Sequence, residues 1–203
     1  MQEAVYTVAV LIVLWGAYAR AAGVIVGLAR TLLNRARFRT FRTGWIEYLT
    51  WLEPFLLGGC TYVLYGSRDQ RFVLIPSPAT SATEMAGAVA GAILVLGAYG
   101  LLLWSFRSWP ALFVGHGVLP DQRLVTKGAY GFVRHPVYLA ALLVWLGLGV
   151  AFGSAVTLAI ALLYVLPAYV LYARSEEAMM LEGFGEAYRQ YCRTVPMFIP
   201  RPR

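Results

Sequence analysis

The chain has 203 residues, of which 60% are hydrophobic and only 13% are charged, and its formal net charge is +7. A soluble globular domain carries about 25% charged residues, so the composition excludes a soluble domain as the main part of the chain. The apolar runs leave no room for a second domain, and we expect residues 1–203 to form a single all-α integral membrane domain.

Five apolar segments are long enough, or nearly so, to cross the bilayer as helices, which takes about 20 residues. The first begins the chain without the basic n-region of a cleaved signal peptide, so we expect it to remain in the mature protein. Gly153-Ser154 separates the last two, which predicts a tight helical hairpin. In chain order the predicted spans are about Ala4–Ala29, Tyr48–Tyr65, Met85–Phe106, Val137–Phe152 and Ala155–Ala173.

Charged and apolar residues alternate at helical spacing after the fifth span, over Arg174–Cys192. This pattern predicts an amphipathic helix lying on the inner membrane surface. The following tail, VPMFIPRPR, is rich in proline and would end that helix.

Basic residues concentrate in three segments that an odd number of spans puts on one side of the membrane. By the positive-inside rule that side is the cytoplasm, so the N-terminus is expected outside and the C-terminus inside, in the cytoplasmic membrane of a bacterium or archaeon. The positive charge is thereby explained by topology and membrane lipids, and no nucleic-acid partner is expected. The basic residues are Arg30, Arg35, Arg37, Arg39 and Arg42; Arg107, Arg123, Lys127 and Arg134; and Arg174, Arg189, Arg193, Arg201 and Arg203.

Two ionisable residues, Arg20 and Glu53, fall inside predicted spans, where a charge costs at least about 2.5 kcal/mol. Counted from the cytoplasmic ends, each lies roughly 10 to 14 Å deep on oppositely directed helices, so an ion pair between them is possible. It would either hold the first hairpin together or, with the helix-disturbing Pro54 beside it, line a substrate cavity. Cys60 and Cys192 are isolated, so neither a disulfide framework nor a metal site is expected.

The richest segment for chemistry is LPDQRLVTKGAYGFVRHPVY, residues 119–138, which crowds charged, aromatic, glycine and proline residues at one membrane face. Pro136 suits the first turn of the fourth span. The free N–H groups of that helix start can bind a carboxylate or another anion.

This segment and the residues that follow it resemble the isoprenylcysteine carboxyl methyltransferase and phospholipid methyltransferase family over about 80 residues, from Gln122 onward. The order and spacing of the motifs carry the resemblance. They are Gly128-Ala129-Tyr130, Arg134-His135-Pro136-Val137-Tyr138, Glu176-Glu177, and Phe184-Gly185-Glu186-Ala187-Tyr188 through Val195-Pro196.

The resemblance implies an S-adenosyl-L-methionine-dependent methyltransferase acting on a lipophilic acceptor, with the cofactor held by about residues 122–138 and 174–192. By motif match the cofactor-binding residues are Gln122, Leu124, Val125, Tyr130, His135, Pro136, Tyr138 and Glu176.

The acceptor side departs from the family pattern. Family members commonly carry an arginine four residues before the first glutamate of the pair, where this chain has Tyr172 and the nearest arginine is Arg174. Arg174 and Glu177 are the candidate catalytic residues. An isoprenylcysteine-like carboxylate needs no base, whereas a lipid amine or a thiol can require one, which Glu177 or His116 could supply.

Two other functions remain open from the sequence. A sterol-reductase-like membrane oxidoreductase using NADPH has a similar loop and C-terminal segment, although few spare basic residues are present for the extra phosphates. A small transporter or non-catalytic membrane protein would also fit the spans, but it offers no reason for the motifs to occur together. The oligomeric state and the exact acceptor are not determined by the sequence.

Overall fold

The chain folds into a helical bundle, which a computed structural model describes for residues 2–34, 40–41, 45–66, 82–109, 117–118 and 123–200. Apart from two strands of two residues each, the regular structure of these residues is helical, which confirms the expected all-α fold. The helices are α1 (Gln2–Asn34), α2 (Trp45–Gly66), α3 (Ala82–Ser108), α4 (Ala129–Phe132), α5 (Pro136–Ala151), α6 (Ala155–Ile160), α7 (Leu166–Phe184) and α8 (Glu186–Thr194).

The surface of the bundle is that of a membrane protein. Large apolar side chains such as Trp15, Phe55 and Leu163 are well exposed, an arrangement that suits hydrocarbon and not water. Within the described residues, three helical stretches combine sufficient length with high hydropathy: Ala4–Arg30, Ala82–Ser108 and Ala155–Phe184. Helix α5 is apolar but has 16 residues, and α2 has 22 residues interrupted by Glu53 and several aromatic side chains. Five spans therefore remain a prediction.

Helices α3 and α5 pack closely because small residues face each other along their contact. A Cβ added at Gly91 would lie 2.5 Å from the carbonyl oxygen of Gly147, and one added at Gly147 would lie 2.9 Å from that of Gly91. Without a hydrophobic driving force between helices in lipid, such close backbone approach is a main source of packing energy. Trp145 of α5 is fully buried.

The segments predicted to share one side of the membrane do meet. Strand β1 (Thr40–Phe41), between α1 and α2, pairs antiparallel with strand β2 (Gly117–Val118), between α3 and α4. Residues after α8 also bond to the segment before α5, through Arg134 N–H to the carbonyl of Pro196 at 2.8 Å. The opposite end of α5 turns at Gly153 and Ser154, where the sequence predicts the hairpin, and the Ser154 side chain caps α6.

The helical stretch of the predicted fifth span continues beyond Ala173 to Phe184. From α6 the chain passes through a π-helical turn at Ala161–Val165, just before Pro167, and then continues as one helix to Phe184. A wider turn relieves the clash that a proline ring makes with the preceding turn. The single amphipathic helix expected over Arg174–Cys192 is therefore two pieces, the end of α7 and α8, which join at Gly185 with φ 56°, a backbone angle that favours glycine.

Candidate active site

The loop before α4 is shaped by Gly128, which has φ 64°. A Cβ at this position would lie 2.2 Å from the Ser108 hydroxyl oxygen at the end of α3. That oxygen accepts a hydrogen bond from Ala129 N–H at 3.0 Å, which satisfies a free donor at the start of α4. Gly128 thus lets the loop close on α3 and fixes where Tyr130 points.

The backbone at Arg134 and His135 is held by the C-terminal tail. Arg134 N–H donates to the carbonyl of Pro196 at 2.8 Å, and His135 N–H donates to that of Met197 at 3.2 Å. Pro136 then opens α5 at the first helical position, where its missing N–H costs nothing. The motif before α5 and the tail therefore form one unit, although about 60 residues of sequence separate them.

The Arg134 side chain ties the tail to α7. Its Nε donates to Glu177 Oε1 at 2.8 Å, and one terminal nitrogen donates to the carbonyls of Cys192 and Val195. These carbonyls lie at the end of α8 and just beyond it, where the helix itself offers them no partner. Burial would lower the pKa of Arg134, but the hydrogen bond and charge of Glu177 outweigh it and raise that pKa.

His135 lies between the two carboxylates of α7. Its Nε2 is 3.0 Å from Glu177 Oε1, and its Nδ1 is 3.5 Å from Glu176 Oε2. Burial favours the neutral ring, yet the hydrogen bonds and charges of Glu176 and Glu177 raise the pKa of His135 above its ordinary value. The arrangement stabilises a positively charged imidazolium between two negative groups.

An aromatic stack continues from His135 into the bundle. The rings of His135 and Tyr138 are nearly parallel, with centroids 5.4 Å apart, and Tyr138 is similarly stacked on Tyr169 at 5.1 Å. Tyr172 meets Tyr138 edge-on at 5.6 Å, and Phe198 of the tail packs beside His135. We call His135, Tyr138 and Tyr169 the three-ring stack.

Tyr130 is buried near Glu176, and its hydroxyl can still make a hydrogen bond. Its side chain is 6% exposed, and among the described residues its hydroxyl has no hydrogen-bond partner. Its carbonyl accepts from the Tyr191 hydroxyl at 2.6 Å, which joins α4 to α8. Burial and the charge of Glu176 raise the pKa of Tyr130, so the group is a neutral donor. A buried, unpartnered hydroxyl is costly unless a ligand satisfies it.

A second polar group lies deeper in the bundle. Arg20 and Glu53 form the ion pair that the sequence suggested. A terminal nitrogen of Arg20 lies 3.6 Å from Glu53 Oε2. Trp145 Nε1 donates to Glu53 Oε1 at 2.8 Å, and Arg20 donates to the Tyr169 hydroxyl at 2.6 Å. The base of the three-ring stack is thus in contact with the buried ion pair.

The structure brings together most of the residues that the resemblance implied. Tyr130, His135, Pro136, Tyr138, Glu176 and Glu177 form one cluster at the end of the bundle where the loops and tail meet. Leu124 packs on the Tyr188, Tyr191 and Val195 group of α8, and Val125 is half-buried. Arg174 is exposed on α7. Gln122 and His116 lie outside the described residues.

Sequence reasoning missed three members of this region. Arg134 stood inside the motif, but only the tail carbonyls show its role as a tie. Phe198 belonged to a tail that was expected only to end a helix. Tyr169 stood in an apolar run with no local signal, and its partner Arg20 is 149 positions away.

An apolar groove elsewhere is not part of this site. It lies between the first half of α1 and α3 and has a volume of about 460 Å³. Its lining consists of Ala, Val, Ile and Leu residues from Ala4 to Ile12 and from Val89 to Leu96. This lining contains no polar side chain.

Comparison with known proteins agrees with the motifs. The model of the phospholipid methyltransferase family matches residues 86–187, which is half of the chain. The chain belongs to this family. The match runs from α3 to the start of α8 and includes Tyr130, His135, Tyr138, Glu176 and Glu177, whereas α1 and α2 lie outside it.

Individual relatives of this family member have diverse names. Its sequence is 38% identical to the cobalt-zinc-cadmium resistance protein CzcN of Cupriavidus metallidurans over 54% of this chain and 50% of that protein. It is 36% identical to the protein-S-isoprenylcysteine O-methyltransferase of Schizosaccharomyces pombe over 39% and 34% of the two chains. It is 25% identical to methanethiol S-methyltransferase 1 of Bradyrhizobium diazoefficiens over 87% and 64%.

The family member therefore spans between about a third and two thirds of the length of these relatives. Among the described residues, no group of three or more His, Cys, Asp or Glu side chains could hold a metal ion.

Proposed function

We propose that the chain is an integral membrane methyltransferase that transfers a methyl group from S-adenosyl-L-methionine to a lipophilic acceptor. One observation carries the proposal: the segment before α5 and the glutamate pair of α7 meet around His135. Beside them lies the Tyr130 hydroxyl, which has no partner within the part of the chain that the structure describes. Membership of the phospholipid methyltransferase family supports the same reaction.

The residues present fit this cofactor. It carries an ammonium group, a carboxylate and a positively charged sulfur, so it needs both acceptors and donors. Glu176, whose carboxylate lies 3.5 Å from His135, would accept from the ammonium group. The Tyr130 hydroxyl would donate to the carboxylate or the ribose. The His135 ring, whose two nitrogens face Glu176 and Glu177, would hold Glu176 in place for the ammonium group. Pro136 and Tyr138 of α5, with Leu124, Val125 and Gln122 from the preceding loop, are proposed to surround the rest of the molecule.

When bound, the cofactor supplies an electrophilic methyl group, and the protein must align the acceptor with it and exclude water. Proximity and alignment can contribute about 7 to 11 kcal/mol to such a displacement. Glu177 already accepts from both Arg134 and His135, which supports a positioning role for its carboxylate rather than proton abstraction. Arg174 is exposed, which supports contact with the polar head of the acceptor at the membrane surface. An amine or thiol acceptor would then need a different base, for which His116 remains a candidate.

The proposed topology suits both substrates. With five spans in a single membrane domain, the N-terminus outside and the C-terminus cytoplasmic, the cofactor would arrive from the cytosol and the lipophilic acceptor from the bilayer. The meeting of the β1 and β2 loops on the side of the cluster supports this orientation, because these loops carry the basic residues.

A binding measurement tests the proposal directly. Calorimetry on the purified chain in lipid nanodiscs should detect binding of S-adenosylhomocysteine and no binding of NADPH. His135→Ala combined with Glu176→Ala should abolish that binding and the transfer of radiolabelled methyl groups into co-purified lipids. Glu182→Ala, at an exposed residue of α7 outside the family motifs, is the matched control and should behave as wild type. Equal binding by wild type and the double variant would refute the assignment of this site.

A further inference from the structure

Arg20 of the buried ion pair makes two contacts of unequal length. The Arg20 guanidinium is 2.6 Å from the Tyr169 hydroxyl but 3.6 Å from the nearest oxygen of Glu53. The shorter distance is a hydrogen bond, and the longer one is an electrostatic contact without a hydrogen bond. Neutralising Glu53 does not by itself require a hydrogen bond from Arg20 to Tyr169.

Glu53 supplies the counter-charge that lets Arg20 remain in the bilayer. Its side chain is 2% exposed, and its other oxygen is occupied by Trp145 Nε1 at 2.8 Å. An unpaired arginine at this depth is expensive, so a carboxylate close by stabilises it. The charge of Glu53 thus explains how Arg20 is tolerated in the bilayer. The hydrogen bond of Arg20, by contrast, holds the hydroxyl of Tyr169.

Tyr169 is the inner end of the three-ring stack, whose outer end is His135. The planes of Tyr169 and Tyr138 differ by 16°, and those of Tyr138 and His135 by 10°. Tyr172 closes the edge of Tyr138, so the middle ring has little freedom to rotate independently. A change in the tilt of Tyr169 therefore has to be accommodated by Tyr138 and then by His135.

We propose that Arg20 is a positioning residue for the active site. By holding the Tyr169 hydroxyl it fixes the three-ring stack and so orients His135 between Glu176 and Glu177. The inference rests on the proposed function and extends it to α1, which the family match does not include. The N-terminal helices would then supply one of the supports of the cofactor site.

The decisive variant is Tyr169→Phe, because it removes the hydroxyl alone and leaves the ring and the Arg20–Glu53 pair in place. We expect it to weaken binding of S-adenosylhomocysteine by about two- to tenfold, the net contribution of one hydrogen bond. It should also shift the ring nitrogen signals of His135 in NMR spectra. The chain has 2 histidines, so the spectrum of His135→Gln assigns those signals.

Tyr99→Phe is the matched control. The Tyr99 hydroxyl also donates a 2.6 Å hydrogen bond to α1, to the carbonyl of Gly16, but Tyr99 is not part of the stack. It should leave both the affinity and the His135 signals within experimental error. Arg20→Gln together with Glu53→Gln, which removes both buried charges, should weaken binding no further when added to Tyr169→Phe, because Arg20 and Tyr169 act through one hydrogen bond.

The outcomes separate this inference from the proposed function. If Tyr169→Phe binds S-adenosylhomocysteine as wild type does, with unchanged His135 signals, Arg20 has only a structural role and the inference is overturned. If the wild-type protein binds no S-adenosylhomocysteine, the proposed function fails, and the His135 signals alone still test the link from Arg20 to His135.

Discussion

The region within the family match and the two helices outside it place their polar groups differently. In the matched region the key groups lie in the loop before α5, at the start of α5 and in the second half of α7, where the tail that follows the match meets them. In α1 and α2 they are single residues in the middle of apolar helices, Arg20 and Glu53. Polar groups at helix ends can find backbone partners and water locally, whereas mid-helix charges in lipid depend wholly on side chains from other helices.

This difference separates two kinds of dependence. The deep pair should matter first for stability, because breaking it leaves an uncompensated buried charge. The cluster at the helix ends should matter first for ligand binding and turnover. The following experiments challenge that division.

The largest effect is expected from Glu53→Gln. The amide can still accept from Trp145, but Arg20 loses its counter-charge, so the unfolding free energy should fall by about 3 to 5 kcal/mol. Thermal unfolding in detergent measures the loss. Arg20→Met added to Glu53→Gln should recover most of it, since no isolated charge then remains. A stable Glu53→Gln protein with altered turnover would instead show that Glu53 faces a substrate cavity.

Next comes Arg134→Met, which removes the link between Glu177 and the carbonyls of Cys192 and Val195. Misplacing a site by about 1 Å can cost on the order of 100-fold in rate, and we expect a loss of that size in methyl transfer. Arg189→Met is the control, because Arg189 pairs with Glu186 on an exposed face of α8. Comparable activity of both variants would mean that the tail is not part of the site.

Gly91→Ala probes the α3–α5 contact on which both regions rest. The added Cβ would meet the backbone of Gly147 at 2.5 Å, and overpacking of this kind costs about 1 to 3 kcal/mol. Gly97→Ala in the same helix meets nothing within 4 Å and should leave stability unchanged or slightly raised. The two melting temperatures, measured side by side, check the difference.

The smallest effect concerns the pH dependence of His135. Its pKa is raised in the folded protein, so its stabilising contribution is complete below the unfolded value of about 6.5 and disappears as pH rises through the higher folded value. The groups facing it are Glu176 and Glu177 from α7, beside Arg134. Stability should therefore decline above about pH 6.5 by no more than about 1.4 kcal/mol per pH unit. The decline should be absent in His135→Gln; a parallel decline in that variant would assign it to another group.

Particular residues show how far the sequence allowed prediction. The depth of Arg20 and Glu53 along their helices showed that an ion pair was geometrically possible, because helical rise is constant, and the structure contains it. The motifs predicted the cluster around His135. The continuation of α7 past Ala173 was not predicted. The charges at Arg174, Glu176 and Glu177 instead indicated the start of a separate helix. A helical hydrogen-bond ladder, however, continues regardless of where the membrane ends.

By itself, the sequence determined that this is a membrane protein, which of its loops share a side, and where its chemistry concentrates, because hydropathy, charge bias and short motifs are local properties. Only the tertiary structure decided that Arg20 contacts Tyr169, that the tail bonds to Arg134 and His135, and that the Tyr130 hydroxyl is left without a partner among the described residues. Those relations depend on how distant segments pack, and no local pattern encodes the rotation of one helix against another.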